Sequence, residues 1–371
     1  MLVGVPKEVK DSEYRVGLVP STVRELTLKG HRVLIEKDAG VGAGLADDAY
    51  VAAGAEIAAG ADQVFAEAEL IVKVKEPLAP ERKKLQPGQV LFTYLHLAPD
   101  REQAEDLLAS GCIAIAYETV TSPQGGLPLL MPMSEVAGRM APQAGAHCLE
   151  KEIGGRGVLL GGVPGVPAAD VLVLGGGVVG ANAARIAAGM GADVTVVDRN
   201  PDVLRRIDNA LNGVRTVFST RDAIETLCRR ADLIIATVLI PGAKAPKLIT
   251  AQTVRAMKPG AAIVDVAIDQ GGCAETSRPT THSHPTYIVD DVVHYCVANM
   301  PGAVARTSTF ALNNMTLPFV IALADKGYRV ALGQDPHLRA GLNVHEGRIT
   351  YKAVADALKL PYVPAEQALR M

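Results

Sequence analysis

At 371 residues the chain is long enough for two domains with sizeable cores, because domains commonly run to about 150 residues. Its formal net charge is −3, from 37 Lys and Arg against 40 Asp and Glu, so no global positive field draws it to nucleic-acid phosphates or anionic lipid. With no Trp and 4% aromatic residues it also lacks the stacking platforms of single-strand binders, whereas 36 glycines among many Ala, Val and Leu suit tight β–α connections and aliphatic layers.

The opening residues Met1 to Glu8 hold an acid and two helix breakers where a signal peptide would have an uncharged core, and no apolar stretch reaches the ~18 residues of a spanning helix. A cytoplasmic protein without membrane contact is therefore expected. Thr22 and Glu25 are spaced as a capping box, which predicts a helix ending at Gly30. Short β-branched runs at Arg32–Glu36, Leu70–Val74, Val90–Leu95 and Cys112–Tyr117 then alternate with helical stretches, as in a parallel sheet. Ser122–Pro132 reads as a linker, with three prolines and two glycines, followed by a predicted helix from Ser134 to Glu152 and a Gly/Pro-rich stretch, Gly154–Pro167. A second alternation has strands at Asp170–Leu174, Asp193–Val197, Val214–Phe218, Asp232–Thr237 and Ala261–Val266, the pattern of a doubly wound nucleotide domain. From Ala303 to Lys326 a long apolar-periodic helix follows, which we expect to cross back and cover the helix-poor first third. The expected division is thus a discontinuous domain, 1–128 plus 305–371, and a second domain, 129–304. Five cysteines, Cys112, Cys148, Cys228, Cys273 and Cys296, form no C-x-x-C pair, so small buried thiols are expected rather than disulfides or a zinc cage; no metal is predicted.

The strongest motif follows the strand Val171–Leu174. Gly175-Gly176-Gly177-Val178-Val179-Gly180 opens a helix, and the next strand ends in Asp198, 18 residues after Gly180. In such a unit Gly175 supplies the tight turn, Gly177 lets the backbone approach a pyrophosphate and Gly180 lets the helix pack close to the sheet. Asp198 would bind the adenosine ribose hydroxyls and repel a 2′-phosphate, favouring NAD over NADP, although Arg199 follows it directly. A glycine-rich turn without a ligand is the bland alternative. Further on, Ile263 to Gly272 puts polar groups just past an apolar strand, where Asp269 is placed to face a nicotinamide; on spacing alone a turn aspartate serves as well. Asp232 and Asp265 read as structural. In the first third, strand ends carry Lys73 and Lys75, then Tyr94 and His96. His96 is a candidate acid/base, and Arg15 with Lys75 could grip a carboxylate; solvated surface cations are the competing reading.

Val5-Pro6-Lys7-Glu8, Arg15 to Pro20, Lys73-Val74-Lys75-Glu76-Pro77, Tyr94 to Ala98, Met133 to Arg139, Pro241 to Pro246, Asp269 to Gly272 and Asn299 to Val304 occur in order along the whole chain. In these stretches the chain closely resembles the alanine dehydrogenase/pyridine nucleotide transhydrogenase family. The resemblance implies an α/β fold of two Rossmann-like, doubly wound domains with the active site in the cleft between them. It implies NAD-dependent, reversible conversion of L-alanine to pyruvate and ammonium by a homo-oligomer, a hexamer in the family. Carried over, Arg15 and Lys75 bind the substrate carboxylate beside Tyr94, Met133 and Asn299, His96 is the acid/base and Asp269 assists at the reacting amine or water. Ser134, Val178, Val179, Asp198, Thr220, Leu239, Val266, Ala267, Ile268, Asp269, Arg278, Val297, Ala298, Asn299 and Met300 line the NAD site with the three motif glycines. Thr220 keeps the hydroxyl of the serine frequent there, while Val203 lacks a basic group that some members place near the adenosine. A transhydrogenase-like NAD(H)-binding subunit and a non-catalytic NADH-binding regulator are the alternatives; the full Arg15, Lys75 and His96 set argues against the first.

Overall fold

The computed structural model describes residues 1–238 and 245–370. Leu239 and most of the Pro241 to Pro246 stretch lie outside the described residues. The chain divides into two units, Met1–Met133 with Gly302–Met371, and Ser134–Pro301.

The first unit opens with β1 (Leu2–Val5), followed by β2 (Arg32–Glu36), β3 (Glu56–Ala58), β4 (Leu70–Val72), β5 (Val90–Thr93) and β6 (Ile113–Ala116). All pair in parallel in the order β3-β2-β1-β4-β5-β6. The chain therefore reverses its direction of winding between β1 and β4, and the carboxyl ends of those two strands flank the crevice where open α/β sheets bind ligands. β1 is buried along its whole length, and a Cβ on Gly4 would stand 2.5 Å from the Ala68 Cβ, so only glycine permits that close packing. The first helix runs Pro20–Leu28, not from a capping box. Proline suits the first turn because its missing N–H is not needed there. Thr22 falls inside the helix, buried, where its hydroxyl accepts a 2.6 Å bond from Asn313 Nδ2.

In the second unit β7 (Asp170–Leu174), β8 (Asp193–Asp198), β9 (Arg215–Phe218), β10 (Leu233–Ala236), β11 (Ala262–Asp265), β12 (Thr286–Val289) and β13 (Val292–Tyr295) form a sheet of order β12-β13-β11-β10-β7-β8-β9. The pairing is parallel except where β12 returns antiparallel to β13. The winding again reverses beside the first strand, between β7 and β10. The central strands read as continuous Val, Leu, Ile and Ala because both faces are covered.

The chain then returns to the first unit through a helix over Ala305–Gln334, interrupted at Gly327, and adds β14 (Leu342–His345) and β15 (Arg348–Ile349) antiparallel at the β6 edge. That helix buries Leu312, Val320 and Leu323 in the core beside β1 and β4. Thr309 Oγ1 and Asn313 Oδ1 accept the amides of Val16 and Val19 at 3.3 and 3.0 Å, pinning the loop that carries Arg15. The five cysteines are buried free thiols, and among the described residues no helix is long and apolar enough to cross a membrane.

Candidate active site

In the first unit, residues following β1, β4 and β5 gather at the switch point. Arg15 is 2% exposed and its Nε and Nη2 each donate a 2.6 Å bond to the Glu13 carboxylate, while Nη1 donates to Met133 Sδ at 3.0 Å. Burial opposes the Arg15 charge, but the bonds to Glu13 outweigh it and hold the guanidinium charged. Lys73 and Lys75 leave β4 in opposite roles. Lys73 is fully buried in an ion triad with Glu8 at 3.3 Å and Glu81 at 2.8 Å, so it is structural. Lys75 is half-buried, and none of these carboxylates bonds its ammonium. Burial pulls its pKa below the ordinary lysine value, Arg15 and Lys10 push it the same way, and Glu76 opposes them. A desolvated cation beside a second one is a receptor for an anion, and with its Nε–Nη2 edge taken by Glu13, Arg15 contributes to that receptor chiefly as a fixed positive charge.

Tyr94 is buried beneath this group with its hydroxyl donating to the Leu129 carbonyl, so it presents ring rather than phenol. The imidazole of His96 stacks on it, centroids 5.8 Å apart and planes 6° from parallel. His96 is 47% exposed along its side chain and its backbone is left-handed, φ 50°, rare for a residue with a Cβ. Glu118 accepts its amide at 2.6 Å.

In the second unit the glycine motif lies at the end of β7. Gly175 has φ 96°, the left-handed turn that glycine adopts without strain. A Cβ on Gly180 would stand 1.8 Å from the Gly175 carbonyl oxygen, so the helix Val178–Gly189 starts against the turn itself. At Gly177 an added Cβ meets nothing within 4 Å, which leaves backbone amides at a helix N-terminus open to an anion. Asp198 closes β8 with Oδ2 accepting the Gly176 amide at 2.7 Å and Oδ1 the Asn200 amide at 2.8 Å, tying the acid to the glycine turn. This cradle, a positive helix end beside an acid at the neighbouring strand end, fits a dinucleotide.

The other expected cofactor residues also follow strand ends. Thr220 caps the helix Arg221–Arg230, accepting the Ala223 amide at 3.1 Å. Asp269 is exposed on the short helical turn Val266–Gln270 after β11, where Ala267 and Ile268 are buried and Val266 is half-buried. That turn is tied down by buried Asp265, whose Oδ2 accepts Cys273 N at 2.7 Å, Ala274 N at 3.2 Å and Ser277 Oγ at 2.6 Å. Arg278 covers the Tyr287 ring at 4.0 Å. Val297 and Met300 are buried and Ala298 half-buried, so this stretch offers chiefly backbone; Asn299 has φ 64° and its carbonyl lies 3.0 Å from His282 Nε2. Ser134 is half-buried on the helix Met131–Cys148, exposed Val178 and half-buried Val179 start the motif helix, and Asp232 binds Lys258 at 2.9 Å as a structural acid. Glu13 and Glu118 were not apparent as part of the site. The usable signal for Glu118 is an acid just past the strand Cys112–Tyr117, next in the parallel alternation to the strand Val90–Leu95 that His96 follows.

The models of the N- and C-terminal domains of the alanine dehydrogenase/PNT family match residues 4–137 and 141–352. The chain is 61% identical over 366 residues to the alanine dehydrogenase of Halomonas elongata, covering 98% of this chain and 99% of that one. Identity to the Bacillus subtilis alanine dehydrogenase is 55% over 372 residues, 100% of this chain and 98% of that one. A solved L-alanine dehydrogenase matches with a TM-score of 0.94 and 52% identity over 97% of this chain and 99% of that chain. A Sinorhizobium meliloti transhydrogenase shares the fold at a TM-score of 0.82 and 24% identity, over 95% of this chain and 100% of that chain.

Proposed function

Because the chain belongs to the alanine dehydrogenase/PNT family, we propose that it catalyses the reversible oxidative deamination of L-alanine: alanine, water and NAD⁺ give pyruvate, ammonium, NADH and a proton. The observation that carries the reading is the full-length similarity to alanine dehydrogenases, joined to a cationic group at one switch point and a glycine cradle at the other.

Bound at the cradle of Gly175, Gly177, Gly180 and Asp198, with the residues after β9, β11 and β13 around it, NAD supplies a hydride acceptor. Arg15 and Lys75 hold the substrate carboxylate, fixing which face of Cα is offered. The ring of Tyr94 and the side chain of Met133 pack around that end, and Asn299 is a further substrate contact by family resemblance. An imidazole nitrogen of His96 takes a proton from the substrate side and returns one as the carbinolamine collapses to pyruvate and ammonium. Asp269 carries negative charge towards the cationic imine carbon and orients the water that adds to it. Asp198 supports NAD over NADP. The exposed apolar Leu159, Val163 and Val166 on one loop support a homo-oligomer, a hexamer by family resemblance.

The test is loss of NADH absorbance with pyruvate and ammonium together. Turnover that needs both supports the reading; NADH binding without turnover would leave a regulator, and turnover only with a second nucleotide a transhydrogenase-like subunit.

A further inference from the structure

The histidine proposed as acid/base sits on left-handed backbone, φ 50°, which is uncommon for any residue with a Cβ. β5 and β6 are parallel neighbours, with Thr93 opposite Ala116, so the residues following them emerge side by side. The turn Tyr117–Thr119 after β6 brings Glu118 under the segment Leu95–His96. Both Glu118 carboxylate oxygens lie 3.2 Å from the Leu95 amide, and Oε1 accepts the His96 amide at 2.6 Å. Oε1 is also 4.0 Å from His96 Nδ1, and only 16% of the Glu118 side chain is exposed. A mostly buried carboxylate thus spends its acceptors on two consecutive amides, at the point where φ turns to 50°. Without it those amides lose their partner and the left-handed geometry loses what over-determines it.

We infer that Glu118 is the positioning residue of His96, a carboxylate clamp on the Leu95 and His96 amides that holds the imidazole over Tyr94 in register with the substrate. The two functional cations have the same kind of support. Glu8 Oε1 accepts the Val74 amide at 2.7 Å, on the segment that carries Lys75, and Glu13 grips Arg15 itself. Glu8 also pairs the Lys73 ammonium and Glu13 pairs a side chain, whereas the hydrogen bonds of Glu118 go to the Leu95 and His96 amides, so its effect on chemistry passes through one side chain. The inference rests on His96 being the acid/base, and the test separates the two.

Glu118→Ala, Glu118→Gln, Glu118→Asp, His96→Ala and the double variant Glu118→Ala/His96→Ala are compared in kcat, pyruvate KM and NADH Kd on the full-length protein. The expected result is a ~10–100-fold loss of kcat in Glu118→Ala with NADH Kd within twofold, as for an ångström-scale misplacement of a reacting group. Glu118→Gln, which keeps a carbonyl acceptor for the His96 amide, recovers most of that loss. Added to His96→Ala, Glu118→Ala costs nothing further, since the group it positions is already gone. Wild-type kcat in Glu118→Ala, or the full extra loss on top of His96→Ala, would overturn the positioning role while leaving His96 as acid/base. Wild-type kcat in His96→Ala would overturn both. If Glu118→Ala does not fold, Glu118→Asp decides: its shorter reach lowers kcat at unchanged NADH Kd, and wild-type kcat there refutes the clamp.

Discussion

His96, Arg15 and Lys75 show how little a residue's type says about its role until its partners are known. Lys73 and Lys75 are two positions apart on one segment, yet one is locked between carboxylates and the other is a half-buried cation without such a lock. Removing a charge-assisted bond costs ~1.5–3 kcal/mol, so Lys75→Ala should lower kcat/KM for pyruvate by that much and leave NADH Kd nearly unchanged. A fall in NADH affinity with pyruvate KM unmoved would contradict the carboxylate assignment. The lysine also sets a pH dependence. A carboxylate binds the ammonium and not the amine, and burial lowers the Lys75 pKa from its ordinary 10.5, so the charge is lost at lower pH than in an exposed lysine. Pyruvate KM should therefore begin to climb before the ordinary lysine range is reached; a KM flat up to that range would show Lys75 to be unimportant for binding. For His96→Ala the expected loss of kcat is ~10²–10⁴, measured at saturating substrate with NADH binding retained.

Elements impose their own requirements, and the glycine turn separates folding from binding. Gly180→Ala drives a methyl into the Gly175 carbonyl, so it should lower thermal stability by ~1–3 kcal/mol or more and weaken NADH with it. Gly177→Ala meets open space at ordinary backbone angles, so stability should hold while NADH affinity drops because the methyl occupies the approach to the amides. Thermal melts beside NADH titrations of both variants check this; equal melting losses would mean that Gly177 serves only the fold. Asp198 belongs to the same turn through its bond to Gly176. Asp198→Ala should cut the preference for NAD over NADP about tenfold, equivalent to ~1.4 kcal/mol, as read from kcat/KM for each cofactor.

At the scale of the whole molecule, one strand order is used twice. Each sheet sets its second and third strands outwards on one side of its first strand and the later strands on the other, and most of the proposed site residues in the described segments follow the carboxyl end of a strand. That repetition is why much of the fold is legible in the chain. Strands such as Arg32–Glu36 and Asp170–Leu174 were legible to the residue, because a strand covered on both faces is an unbroken apolar run between turns. β1, four residues at the start of the chain, shows no periodicity to read, yet it lies inside its sheet between β2 and β4, at the point where the winding reverses. β14 and β15 were equally silent, since a two- to four-residue edge strand is defined by its neighbour. The assembly is a property of this scale too. Sedimentation or light scattering should find a hexamer, and Val163→Asp with Val166→Asp, placing charge on the exposed apolar loop, should yield smaller species; an unchanged hexamer would put the interface elsewhere.

The local grammar is written along the chain: alternating strands and helices, the Gly175 to Gly180 turn with its acid at Asp198, and the cations and histidine at strand ends. These are set by backbone sterics and by burial over a few residues, which the chain states in order. Tertiary structure alone decided which strand is central, and hence where each switch point falls. It decided that the early helix starts at Pro20 rather than at a capping box, because Thr22 is taken by Asn313, almost three hundred residues away in sequence. It decided also that Glu13 and Glu118 stand behind Arg15 and His96. Glu118 meets His96 only because β5 and β6 lie side by side, and that adjacency is a property of the sheet and of no single stretch of chain.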